Sequence, residues 1–195
     1  MNVLLSILIC TVPSRAKSFL PAILNQLEQQ VNGLSIVEVL YLGDNKLMSV
    51  GAKRNALVKL AKGKYVVFVD DDDRISPNYV QRIIDGIVYR DASNVEPDCV
   101  CFNAKISING GPAVDVYFSK NNMRDTNTKT AYLRVPNHLM CVKRSIAFET
   151  PYLEISRGED ADYAKRLLPK LKIEHLLGDT LYYYDFNSQT TEAQK

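Results

Sequence analysis

Residues 66–73 read Val66-Val67-Phe68-Val69-Asp70-Asp71-Asp72-Asp73, an apolar run that breaks into four consecutive carboxylates. The β-branched, uncharged run predicts a buried strand. Side chains alternate along a strand, so Asp70 and Asp72 are expected to project together from its end. Carboxylates that close repel one another. A hard divalent cation such as Mg²⁺ or Mn²⁺ relieves that repulsion and keeps positions open for substrate phosphates. The same residues also suit an acidic loop leading into the next helix, with Ser76 as N-cap and Pro77 in the first turn. Position favours the cation, because open α/β sheets bind ligands at the carboxyl ends of their strands.

Two more polar clusters fall at expected strand ends, Thr11 to Arg15 and Gly43-Asp44-Asn45. In a parallel sheet such ends share one edge and build one cleft, which points to a nucleotide site. Asp44 is suited to accept hydrogen bonds from a base edge, and Arg15 to reach a base or a phosphate. Gly51-Ala52-Lys53-Arg54-Asn55 opens the next helix. Lys53 and Arg54 there suit an anionic ligand, or form a solvated basic first turn. In Arg157-Gly158-Glu159-Asp160-Ala161-Asp162 the acids suit a helix start, and one poised at a cleft mouth suits a general base. These residue types alone leave both readings open.

The elements that must position these groups alternate through the first half. Leu4–Cys10 reads as a strand, not a secretion signal, since no basic segment precedes it. Phe19, Leu20, Ile23, Leu24, Leu27 and Val31 recur at helical spacing, with Ser18 as the expected cap and Pro21 in the first turn. Ile36–Leu42 is the second strand, Ser49 to Ala61 a helix closed by Gly63 as C′, and Tyr65–Val69 the third strand. Val80, Ile83, Ile84, Ile87 and Val88 mark a third helix. Such alternation implies βαβ units and a mostly parallel sheet. After Asp98 the pattern changes to a hairpin, Cys99–Ile108 and Ala113–Phe118 around Asn109-Gly110-Gly111. Ser119–Thr130 reads as a loop, Tyr132–Val135 and Leu139–Val142 as short strands, and Leu181–Tyr184 as the last strand. A helix from about Asp160 carries Tyr163, Leu167 and Leu168.

With 195 residues, the chain fits one domain: a nucleotide-binding half (1–98), a second half (99–187) and a tail (188–195). A net charge of +2 gives no electrostatic basis for bulk nucleic-acid or membrane binding. No apolar run approaches the ~20 residues of a membrane span. Cys10, Cys99, Cys101 and Cys141 are expected as free thiols in a reducing cytoplasm, and the pair His138 and Cys141 lacks the second pair a zinc site needs.

The order of segments resembles family 2 glycosyltransferases over Ser6 to Tyr184. Ser6-Ile7-Leu8-Ile9-Cys10-Thr11 through Arg15 resembles the family's opening strand and donor-binding loop. Leu40-Tyr41-Leu42-Gly43-Asp44-Asn45 is similar to its second strand, whose aspartate binds the base. Arg54-Asn55-Ala56 through Tyr65 resembles the approach to its DxD strand. Asp70-Asp71-Asp72-Asp73-Arg74-Ile75-Ser76-Pro77 resembles the DxD motif, and Gly158-Glu159-Asp160 with Asp162 and Arg166-Leu167 its ED motif. The resemblance implies a GT-A-type, Rossmann-like α/β fold, a mostly parallel sheet flanked by helices with a small antiparallel portion in the C-terminal half. It also implies a metal-dependent inverting transfer from a nucleotide-diphosphate sugar, UDP first among them, to an acceptor hydroxyl. By residue, it implies that Asp72 binds Mn²⁺ or Mg²⁺, with Asp70 or Asp71 near ribose and metal, and that Asp160 of the Glu159-Asp160 pair is the base. Residues from Ser119 to Asn137 are expected on the acceptor side. Relatives place a further histidine near the last strand, where Tyr182-Tyr183-Tyr184-Asp185-Phe186-Asn187 has none. The rival readings are a binding module without catalysis and a phosphohydrolase with an aspartyl nucleophile. The latter family carries its DxD on the first strand, not the third.

Overall fold

The computed structural model of the chain describes residues 2–89 and 94–188. In chain order its elements are β1 (Leu5–Thr11), α1 (Pro13–Ala16), α2 (Leu20–Val31), β2 (Val37–Gly43), α3 (Val50–Leu60), β3 (Tyr65–Phe68), β4 (Arg74–Ile75) and α4 (Tyr79–Val88). The second half adds β5 (Cys99–Ile108), β6 (Val114–Phe118), β7 (Thr126–Asn127), β8 (Ala131–Arg134), β9 (Cys141–Lys143), α5 (Arg144–Phe148), α6 (Glu159–Leu167) and β10 (Glu174–Phe186).

β1 is almost wholly buried and pairs in parallel with β2 on one side and β3 on the other. The chain therefore winds outward in both directions from β1. That reversal opens a crevice at the carboxyl ends of β1 and β3. The order continues from β3 through β9 to β5, β6, β8 and β7, with β10 beside β5 and β4. The longest pairings, β1 with β2 and β5 with β10, are parallel. β9 runs antiparallel to both β3 and β5, and β5 with β6 is the expected hairpin, its turn at Asn109 and Gly110 in the left-handed region. The architecture is the expected α/β class. α2 and α4 lie against one another, while α3 contacts α5 and α6.

Local chemistry explains the joints. Ser49 caps α3, its Oγ accepting the Ala52 N–H at 3.1 Å. Buried Ser6 donates to Glu38 (2.6 Å) and accepts the Gly63 N–H (2.8 Å). Gly63 is not the left-handed C′ residue expected of it. A Cβ there would lie 2.5 Å from Ser6 N and Oγ, so close approach, not φ, requires the glycine. Gly51 is more tightly held: a Cβ would sit 1.8 Å from the Leu153 carbonyl oxygen, which seats α3 on the 153–155 segment.

Several boundaries differ from the sequence expectation. α2 starts at Leu20, so Ser18 is not its cap; the Ser18 hydroxyl bonds the Ser14 carbonyl instead. α4 starts at Tyr79, and Ser76 donates to Asn78 and does not cap the helix. Val88 leaves the buried face of α4, which is carried by Tyr79, Val80, Ile83, Ile84 and Ile87. Leu168 falls in a 3₁₀ turn after α6. β10 is far longer than Leu181–Tyr184 and slips register between Leu176 and Tyr182, a bulge around Gly178 that hides its period. Within the expected loop 119–130, Thr126–Asn127 pairs with β8. Residues 189–195 of the expected tail lie outside the described residues. All four cysteines are free thiols.

Candidate active site

A cavity of about 580 Å³ opens at the carboxyl ends of β1 and β3. It is lined by Thr11 and Arg15 after β1, by Lys53 and Arg54 of α3, by Asp70, Asp71 and Asp72 after β3, and by Glu159 and Asp160 at the start of α6. Two acidic motifs ninety residues apart in sequence thus face one space. Every expected site residue except Asp44 lines it.

β3 stops at Phe68, so Asp70 and Asp72 lie beyond the strand, and both line the cavity. They lie on a turn closed by Asp73 N–H to Asp70 O, and each finds its own partner. Asp70 takes Arg54 Nη2 on Oδ1 and His138 Nε2 on Oδ2, both at 3.3 Å. Asp71 accepts Thr11 Oγ1 (2.6 Å) and Arg15 Nη1 (2.9 Å), and the other arm of Arg15 reaches Asp72 (2.7 Å). Asp73 accepts the Tyr182 hydroxyl (2.6 Å), whose oxygen accepts the Asp70 N–H (3.0 Å). Side-chain exposure sorts the roles: Asp70 is 32% exposed and Asp72 12%, whereas Asp71 at 1% is an anchor shared with Thr11.

Electrostatics follows from these contacts. Burial alone disfavours the charge on Asp70, but His138, Arg54 and Arg15 outweigh it and hold its pKa well below the usual carboxylate range. Burial raises Asp71 and Asp72, with Arg15 opposing it, and raises Asp73 strongly with help from the Asp70 charge. Burial, with the neighbouring carboxylate charges behind it, resists ionisation of Asp71 and Asp72, and a hard divalent cation, which takes carboxylate oxygens, would relieve that cost. Tyr184 of β10 also faces this cluster, and burial with the Asp73, Asp70 and Asp72 charges pushes its phenol up to about 12. Cys10 lines the cavity too, but burial pushes its thiol to about 12, which removes it as a thiolate nucleophile.

Lys53 and Arg54 are buried, at 2% and 4% exposure, and so are not a solvated first turn. Lys53 Nζ bridges the Thr11 carbonyl (3.0 Å) and Asp44 (2.5 Å). Asp44 also accepts the Met48 N–H (2.6 Å), and Lys53 with that N–H lowers its pKa. Asp44 does not itself line the cavity, whereas its partner residues Met48 and Lys53 do. Glu159 is buried against Arg54 (3.2 Å), and Asp162 is paired with Arg166 one turn along α6. Asp160 is left at the cavity surface, one carboxylate oxygen accepting the Ala161 N–H. None of residues 119–137 lines the cavity. Cys99, Cys101 and Glu174 form a separate cluster of metal-ligating types, with the two sulfurs 3.9 Å apart. Glu174 is already engaged by Ser119 Oγ and the Lys120 N–H.

His138 and Tyr184 were not expected in the site. His138 arrives because its carbonyl accepts the Phe68 N–H, a pairing made seventy residues away. Tyr182 and Tyr184 share a strand face, and this i, i+2 spacing was the one available signal.

The model of glycosyl transferase family 2 matches residues 14–142. The chain belongs to that family. No curated protein matches it. Among solved structures it is similar to TarS of S. aureus, at 17% identity and a TM-score of 0.69, over 94% of this chain and 37% of that one. It is also similar to TarS 1–349 in complex with UDP-GlcNAc, at 15% identity and a TM-score of 0.67, over 95% and 59% of the two chains. The complex of the same fragment with UDP gives 17% and 0.67, over 95% and 61%. The chain thus spans from about a third to three-fifths of these structures, and the likeness is one of fold.

Proposed function

We propose that this chain transfers a sugar from a nucleotide-diphosphate donor, UDP-linked, to an acceptor hydroxyl with inversion. The observation that carries the reading is the meeting of Asp70–Asp72 and Glu159–Asp160 around one cavity at the sheet's switch point. The TarS fragment binds UDP and UDP-GlcNAc. The donor's nucleotide lies along the Thr11–Arg15 and Asp44 side, and its diphosphate near Asp70 and Asp72, which hold Mn²⁺ or Mg²⁺. When bound, such a cation neutralises charge on the departing nucleoside diphosphate. Arg15 holds the acidic turn in shape beside it. Asp160 accepts the proton of the acceptor hydroxyl as that oxygen attacks the anomeric carbon. Glu159, buried against Arg54, is not placed for this. Residues 119–137 approach the acceptor from outside the cavity.

Among the described residues no helix is long and apolar enough to cross a membrane. Four unbridged thiols suit a reducing compartment such as the cytoplasm.

The test is a thermal-shift titration with UDP in the presence of Mn²⁺, since a ligand of the folded state raises apparent stability by mass action. UDP with Mn²⁺ should raise Tm, and EDTA or Asp72→Asn should remove the metal-dependent part. UDP binding indifferent to both would reject the metal assignment, and no response to any nucleotide diphosphate would reject the donor site.

A further inference from the structure

We infer that Arg54 is a positioning residue that sets the distance between the donor-side carboxylates and the base-bearing helix. The inference rests on the glycosyltransferase reading. Arg54 lies in α3 and is the one side chain that touches both acidic motifs among the described ion pairs. Its Nη2 is 3.3 Å from Asp70 Oδ1, and its Nη1 is 3.2 Å from Glu159 Oε1. Its guanidinium lies 5.5 Å from the ring centroids of both Phe68 and Tyr152. Phe68 is the last residue of β3, two before Asp70. Tyr152 stacks on Tyr163 of α6 at 4.0 Å, and its backbone N–H and carbonyl are both held by Asn55, the neighbour of Arg54. The guanidinium therefore sits over an edge-to-face pair of rings, Phe68 and Tyr152, and two of its nitrogens are paired with carboxylates.

This arrangement needs an arginine. Two nitrogens of one rigid plane reach two carboxylates, while the delocalised cation rests over the Phe68 and Tyr152 rings. A lysine has one charged atom and reaches one carboxylate. The consequence for catalysis concerns the neighbour of Glu159. With Glu159 tied to Arg54, the first turn of α6 cannot rotate about its axis, and Asp160 is held facing the cavity. Arg54 thus acts through Asp70 and Glu159, and it need not contact substrate.

The experiment measures hydrolytic UDP release, with water as the acceptor that takes the sugar, by wild type, Arg54→Lys, Glu159→Gln and the double variant, with Mn²⁺ and a panel of UDP-glucose, UDP-galactose, UDP-GlcNAc, UDP-GalNAc and UDP-glucuronate. Misplacing a reacting group by an ångström costs up to about 10²-fold in rate. Arg54→Lys should therefore lower kcat by about ten- to a hundredfold while donor KM stays within about threefold. Glu159→Gln should lower kcat similarly, and the double variant should be no worse than the poorer single one, because both cut the same link. Independent, multiplying losses would overturn the inference, as would full kcat in Arg54→Lys. A raised KM at unchanged kcat would make Arg54 a phosphate contact instead. Should Arg54→Lys fail to fold, Glu159→Gln carries the test against Asp160→Asn. A larger loss in Glu159→Gln than in Asp160→Asn would make Glu159 the base and overturn the positioning role. Absence of wild-type turnover with every donor would overturn the glycosyltransferase reading, and this inference with it.

Discussion

Tyr182→Phe isolates the contact that holds the acidic turn from beneath. The Tyr182 ring is fully buried, and phenylalanine keeps it, so no cavity larger than one oxygen is made. What is lost is the hydroxyl, which donates to Asp73 Oδ2 at 2.6 Å and accepts the Asp70 N–H at 3.0 Å. Each buried group stranded in this way costs about 1–3 kcal/mol, so two give roughly 2–6 kcal/mol. The Asp73 end dominates, since burial and the Asp70 charge already raise its pKa strongly and the Tyr182 hydroxyl works against them. Urea unfolding at neutral pH measures the loss, with m unchanged if only the native state is affected. Asp73→Asn in the same background should recover part of it, with a coupling of about 0.5–3 kcal/mol between the two sites. Because the Asp70 N–H is released, UDP affinity in the presence of Mn²⁺ should fall as well. A destabilisation below about 0.5 kcal/mol, the range of an ordinary surface substitution, together with unchanged UDP binding would refute the reasoning.

Asp160→Asn should cut turnover by about 10²–10⁴ while UDP affinity stays near wild type, and NMR of the product should show an inverted anomeric centre. Asp44→Ala should weaken UDP about tenfold or more by calorimetry; an unchanged affinity would remove Asp44 from the nucleotide site. Asp98 tests the frame of the second half: despite burial, Lys143 and the Lys172 and Ile173 N–H groups lower its pKa. A lowered folded pKa gives stability that is present above the unfolded value of about 3.9 and lost as pH falls through the folded one. Wild type should therefore exceed Asp98→Ala in urea midpoint at pH 6, and the two should converge below about pH 4.

The sequence was most readable where local pattern and final environment agree. The buried run before Asp70 predicts β3, and the helix expected from Ser49 to Ala61 forms as Val50–Leu60, because both depend on neighbours in sequence. Ser18 and Ser76 carry the same cap signature, yet each helix begins two or three residues later, with the hydroxyls spent on Ser14 and Asn78. β10 was largely missed because Gly178 and its bulge interrupt the alternation that marks a strand. In the site, residue types identified the acidic motifs but not their partners. Arg54 reads as an ordinary basic first-turn residue until Tyr152 and Glu159, a hundred residues on, close over it. His138 has no pattern around it at all, and only the tertiary path of the 135–140 segment brings it to Asp70.

The last rung between β1 and β3 joins Leu8 to Phe68, and Val69 N–H still bonds the Leu8 carbonyl. Asp70, Asp71 and Asp72 contribute no rung beyond it. The carboxylates proposed to hold donor and metal therefore hang off the end of the sheet like tools on a rack. Asp70 and Asp72 can be exchanged one at a time with no shift of strand pairing, which would carry every core side chain to the opposite face, whereas Asp71 is pinned to Thr11 and Arg15. On the proposed reading, a scaffold arranged in this way lets inheritance alter donor and metal preference at the codons for Asp70 and Asp72 while the hydrophobic interior is left alone. For the bench, Asp70→Asn or Asp72→Asn should make inert but well-folded decoys, suited to capturing the acceptor of the proposed transfer.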